Sequence, residues 1–113
     1  HRVAYHASAA IAANHLVALL GQAERVAGGA GVPTEAIMSL AEGALAGAAR
    51  VGTAEALTGP VARGDWPTVA AHLAALASDE RPAYEALARQ ALRLAWPTIR
   101  AATDEGSAPP WRS

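Results

Sequence analysis

Residues 5–20 read YHASAAIAANHLVALL. Ile11, Leu16, Val17, Leu19 and Leu20 point in nearly all directions at 100° per residue, and alanine fills most of the gaps. A helix that is apolar all round is normally buried all round. The stretch therefore predicts a long helix over about 3–27 as the centre of an all-α domain, with its neighbours packed around it. Polar residues return at Gln22, Glu24 and Arg25, where the helix should reach the surface. Gly28, Gly29 and Gly31, followed by Pro33, predict its end.

Three further helices follow. Thr34 to Arg50 carries an apolar stripe of Ile37, Leu40, Ala41, Ala44, Leu45 and Ala48, with Thr34 as N-cap, Glu35 in the first turn and Gly52 as the stop. Gly43 and Gly47 lie one turn apart and offer a place for a neighbouring backbone to approach. A short turn at 54–57 is expected next. Asp65 then predicts an N-cap, with Pro67 in the first turn and Val69, Leu73 and Leu76 facing inward. The last helix begins near Pro82 and uses Tyr84, Leu87, Ala88, Ala91, Leu92, Ala95 and Ile99. Pro97 should kink or interrupt it, because it lacks an N–H and clashes with the preceding turn. The expected architecture is a bundle of about four helices around a buried first helix, over residues 1–103, with a flexible tail at 104–113. No strand pattern and no internal repeat is present.

Composition narrows the chemistry. The chain has 113 residues, which suits one domain with one core. Its net charge of −1 comes from nine basic and ten acidic residues spread along the chain, which argues against nucleic-acid or acidic-lipid partners. Cysteine is absent, so thiol catalysis, disulfides and thiolate metal sites are excluded. Lysine is absent too, so no side chain can form a Schiff base. Alanine exceeds a quarter of the chain, which favours helix and close helix packing. No 18-residue apolar run is present, and Asn14 and His15 interrupt the most apolar stretch, so no membrane span is expected. Composition leaves the compartment open but nothing suggests secretion, and the expected location is cytoplasmic. The start at His1 leads to the expectation of a piece of a longer protein.

Two places stand out against this background. On the first helix, His6, Ala10 and Asn14 are spaced i, i+4, i+8 and share one face. His6 and Asn14 would lie about 12 Å apart along the axis, too far to grip one atom but suited to lining one cleft. The competing readings are that Asn14 satisfies a buried backbone group from a neighbouring helix and that His6 is structural, as a lone histidine more often is. His15 and His72 read as structural or exposed. His1 and His6 lack the spacing of a metal pair, and no tight carboxylate cluster accompanies them, so no metal site is expected.

The second place is ALTGPVARGD at 56–65, where the helical pattern breaks. Gly59-Pro60 and Gly64-Asp65 are turn signals. Thr58 offers a hydroxyl beside Gly59, and Arg63 has the fork that holds a carboxylate bidentately. The alternative is a plain loop in which Arg63 pairs with Asp65 or a helix end.

Together, the H-x7-N pattern of residues 6–14 and the T-G-P-x-x-R-G-D of residues 58–65 resemble the C-terminal helical domain of a family of Rossmann-type oxidoreductases, catalogued as domain of unknown function 2520. The resemblance runs from about Tyr5 to Leu94. That family is similar in turn to ketopantoate reductases, pyrroline-5-carboxylate reductases and 6-phosphogluconate dehydrogenase-like enzymes. The resemblance implies an upstream Rossmann domain that holds NADP in the full-length parent, with no cofactor bound by this fragment alone. It also implies an active site in the cleft between the domains, a small anionic keto acid or imine as substrate, and a homodimer formed through the helical domain. Carried over residue by residue, it assigns His6 and Asn14 to catalysis and Thr58, Gly59 and Arg63 to substrate binding. Hydroxyacid dehydrogenases of the wider group carry Lys-x-x-x-Asn on this helix. Here Asn14 matches the asparagine and Ala10 stands at the lysine position, which leaves His6, one turn earlier, as the candidate proton donor. The competing expectation is a helical dimerisation module with no chemistry.

Overall fold

The computed structural model describes residues 1–102 and 108–111. Among them there are five helices and no strand, which makes the chain all-α. Helix α1 is continuous over Arg2–Gly29, with a π-helical segment at Ala10–His15 between two α-helical arms, Arg2–Ala9 and Leu16–Gly29. Next come α2 (Thr34–Val51), the single turn α3 (Thr53–Ala56), α4 (Trp66–Ala75) and α5 (Arg81–Ala102). Two 3₁₀ turns, Val61–Arg63 and Ser78–Glu80, precede α4 and α5.

Glycine and proline punctuate the chain largely as their backbone preferences dictate. Gly28 and Gly29 remain inside α1, which ends at Gly29; Ala30 caps it, and Gly31, at φ 77°, turns the chain away. Pro33 follows, and α2 begins at Thr34. Gly52, at φ 91°, separates α2 from α3 while its own N–H still donates to the Ala48 carbonyl at 2.9 Å. A Cβ on Gly47 would lie 3.8 Å from that of Ala56, an ordinary contact, whereas one on Gly43 would meet open space. Pro97 does not interrupt α5, which runs through it to Ala102. The cost of the lost N–H is carried by a helix that is anchored on either side of it by the buried Ala95 and Ile99.

The chain separates into two compact units, His1–Gly43 and Ala44–Ser113. The second unit holds a core of Val61, Trp66, Val69 and Ala88, flanked by Leu73, Tyr84, Ala91, Leu92 and Trp111. Val69 is fully buried and Trp66 is 5% exposed. The Trp66 indole is set edge-on to Trp111, with ring centroids 5.8 Å apart. Its Nε1 is buried without a hydrogen-bond partner. His72 and Tyr84 tie α4 to α5 at the surface through an Nδ1–Oη hydrogen bond of 2.9 Å. Of the tail at 104–113, residues 104–107, 112 and 113 lie outside the described residues. Pro109 is buried and Trp111 half-buried.

The first unit overturns one expectation. Helix α1 is not the buried centre of the fold: Ala27 is its one buried residue, and Ile11 and Val17 are 60% and 69% exposed. An apolar circumference records that a helix favours cover, not which surface supplies it. Within the first unit, the described residues do not supply that cover. The expectation of no membrane span does not follow from Asn14 and His15 alone, because an 18-residue window of α1 averages 1.4 in hydropathy. By length and composition alone, this 28-residue helix, about 42 Å long, could cross a bilayer. An apolar helix that packs against another protein surface meets the same criterion.

Candidate functional site

In the first unit, the residues singled out by sequence lie on the exposed part of α1. His6, Asn14 and His15 are all exposed. The Tyr5 and His6 rings are in tilted contact, with centroids 5.9 Å apart, and Ser8 Oγ donates to the Tyr5 carbonyl at 2.7 Å. Asn14 is thus not enclosed with a buried backbone group among the described residues. The π-helical segment, which contains both Ala10 and Asn14, was not legible in the sequence. In an ideal α-helix, residues eight apart are rotated by about 80° from perfect alignment. A π turn closes its hydrogen bond one residue later and so turns less per residue. The segment therefore brings Asn14 back toward the direction of His6. Single-turn π segments inside α-helices are frequent at functional sites.

The second unit contains the 58–65 loop. Leu57 leaves α3 in an extended conformation, and Gly59 reverses the chain at φ 92°. Pro60 opens the 3₁₀ turn, with Arg63 N–H donating to the Pro60 carbonyl at 3.2 Å. Gly64 is left-handed, at φ 66°. Its N–H donates to the Val61 carbonyl at 3.1 Å, and Asp65 N–H donates to the Pro60 carbonyl at 2.9 Å. This pair of bonds is the Schellman pattern, which explains the glycine. Asp65 then caps α4 as its sequence position predicts. Inside the loop, Val61 is buried and pins the turn to the core. Thr58 and Arg63 stay exposed, and Gly59 is half-buried.

Arg63 lies 3.7 Å from Asp65, so the plain-loop pairing considered from sequence does occur. At that distance the ion pair is loose, and the Arg63 side chain is 62% exposed. A pair of this kind contributes little to stability and leaves the guanidinium free to turn toward another carboxylate. The Asp65 carboxyl is held below its ordinary range, chiefly by the Thr68 hydroxyl and the Thr68 backbone N–H, with Arg63 adding less. Asp65 is thus occupied with the helix cap. Among the described residues, no three His, Asp or Glu side chains gather as a metal-binding group.

His6 and Asn14 belong to one unit and Thr58, Gly59 and Arg63 to the other. Sequence reading passed over Trp66, the anchor of the second core. Its position three residues before Val69, on the same helix stripe, was the available signal.

A family model described as domain of unknown function (DUF2520) matches residues 1–91. No curated protein and no solved structure matches the chain.

Proposed function

Because this chain belongs to the DUF2520 family, we propose that it is the substrate-side and dimerisation domain of an NADP-dependent oxidoreductase acting on a small keto acid or imine. The π-helical segment at Ala10–His15 carries this reading. Asn14 lies in this one irregular turn of an otherwise regular helix, and both it and His6 are exposed. In this reading His6 donates the proton that Ala10 cannot, and Asn14 orients the substrate carbonyl or imine. Arg63 anchors the substrate anion, with Thr58 and Gly59 beside it. The loop supports that role because its backbone is fixed by the Schellman turn while the two polar side chains remain exposed. The nicotinamide cofactor belongs to an upstream Rossmann domain, since pyrophosphate is held at a βα turn and the described residues contain no strand. In the whole protein it supplies hydride, while these side chains handle the proton and the anion.

The test is NADPH oxidation by the full-length parent against a panel of small keto acids and cyclic imines. Arg63→Ala should raise KM with little change in kcat, and His6→Ala should lower kcat. A parent gene without a G-x-G-x-x-G strand–turn–helix unit would instead favour the second reading, a non-catalytic dimerisation module. The exposed apolar surface of α1 suits that module equally well.

A further inference from the structure

A groove of about 410 Å³ lies on the outer side of α5, lined by Arg89, Leu92, Arg93, Trp96, Pro109 and Trp111. It is contained in the second unit and shares no residue with the loop at 58–65. Arg89, Leu92, Arg93 and Trp96 are spaced i, i+3, i+4 and i+7, so they form one continuous helix face. The chain returns at Pro109 and Trp111 to build the opposite wall.

The two arginines are differently placed. Arg89 is engaged twice: its guanidinium lies 5.7 Å from the centre of the Trp111 ring, and it pairs with Glu85 at 3.8 Å. Arg93 has no acidic partner among the described residues and is exposed. The indoles differ in the same way. Trp111 is held between Arg89 and the edge of Trp66. Trp96 is 45% exposed and presents an aromatic surface to the groove one turn beyond Arg93. A guanidinium with no acidic partner among the described residues, set beside an open indole and Leu92, is complementary to a flat ring that carries a negative charge. The charge meets Arg93, where planar bidentate pairing is available, and the ring lies against Trp96 and Leu92. The volume falls in the range of small-molecule pockets.

We propose that this groove binds a planar aromatic anion, with Arg93 as the anion anchor, Trp96 as the stacking surface and the Arg89–Trp111 pair as the fixed wall. The site is independent of the reductase reading and does not require the upstream domain.

The three tryptophans give three indole N–H signals in a nitrogen-15 correlation spectrum of residues 1–113, assignable by single Trp→Phe variants. Benzoate, benzamide and acetate are titrated separately. Benzoate should shift the Trp96 and Trp111 signals saturably, with a dissociation constant of about 1 mM, as expected for so small a ligand. The neutral ring and the ringless anion should each bind at least about tenfold more weakly, a difference equivalent to one favourable charged contact. Arg93→Gln should reduce benzoate binding to the level of benzamide, and Trp96→Ala should weaken both aromatic probes while leaving the helical circular dichroism intact. Equal affinity for benzoate and benzamide would overturn the proposal. So would the absence of saturation, or an Arg93→Gln protein that binds benzoate as the parent chain does.

Discussion

Asp65 and Thr68 hold each other through both ends of the carboxylate: the Thr68 N–H donates to Asp65 Oδ1 at 3.3 Å and the Thr68 hydroxyl donates to Oδ2 at 2.7 Å. These two hydrogen bonds to one carboxylate close the loop that carries Arg63 and start α4. The Asp65 carboxyl has its pKa lowered from 3.8, first by the Thr68 hydroxyl. A depressed folded-state value means the contribution is fully present above the unfolded pKa and fades as pH falls through the folded one. Asp65→Ala should therefore lower Tm at neutral pH, and Asp65→Asn should lower it less because the amide oxygen still caps. The Tm difference between parent and Asp65→Ala should be constant above about pH 5 and shrink below about pH 4. A thermal-melt series across that range checks the sign.

Gly64 tests the turn from the backbone side. A Cβ there would lie 3.7 Å from Ile99 Cγ2, an ordinary contact, so space is not the obstacle. The left-handed φ of 66° is. Gly64→Ala should cost about 1–2 kcal/mol in chemical denaturation, and Gly64→Asn distinctly less, because asparagine tolerates that conformation.

Trp66 combines deep burial with an orphaned donor. Trp66→Ala should destabilise the chain by about 3–5 kcal/mol through the cavity it leaves. Trp66→Phe gives up ring area but also removes the buried N–H, whose desolvation costs about 1–3 kcal/mol. It should lose less than half as much as the alanine variant. Equal losses in urea melts would mean that Nε1 is satisfied in solution.

The exposed circumference of α1 predicts self-association. Light scattering of residues 1–113 at tens of micromolar should report a dimer, and Ile11→Glu with Val17→Glu should return it to a monomer without loss of helix signal. A chain monomeric at that concentration would reject the dimer. Extraction only with detergent would assign the helix to a bilayer instead, as its hydropathy of 1.4 permits.

The π segment makes its own forecast. A π turn accommodates one residue more than the α-helical ladder, so deleting Ala13 should restore a continuous α-helix. Helical circular dichroism should be unchanged. Activity of the full-length parent should fall at least about tenfold if the segment sets the direction of Asn14, a loss of about 1.4 kcal/mol in transition-state stabilisation. Unchanged turnover would detach Asn14 from the chemistry.

Much of the local structure follows from the sequence because its determinants are local. Asp65 and Pro67 mark the start of α4, Gly52 and Gly31 turn the chain beyond helix ends by their backbone freedom, and the apolar periodicity of Val69, Leu73, Ala88 and Ala91 marks the inward faces. The candidate loop at 58–65 is equally legible, since Gly59-Pro60 and Gly64-Asp65 leave the chain few alternatives to a turn.

What only the tertiary structure decided is non-local. Hydrophobicity states that α1 favours cover, but its exposed residues show that the first unit does not supply it, because covering a surface depends on what else reaches it. Pro97 stays within α5 because packing on both sides of it outweighs one missing hydrogen bond. Trp111, far along the chain from Trp66 and in a segment read as tail, lies against that indole. The π turn at Ala10–His15 has no compositional mark at all. Each of these outcomes is set by free energies summed over contacts between distant residues or over a whole helix, which spacing along a chain does not encode.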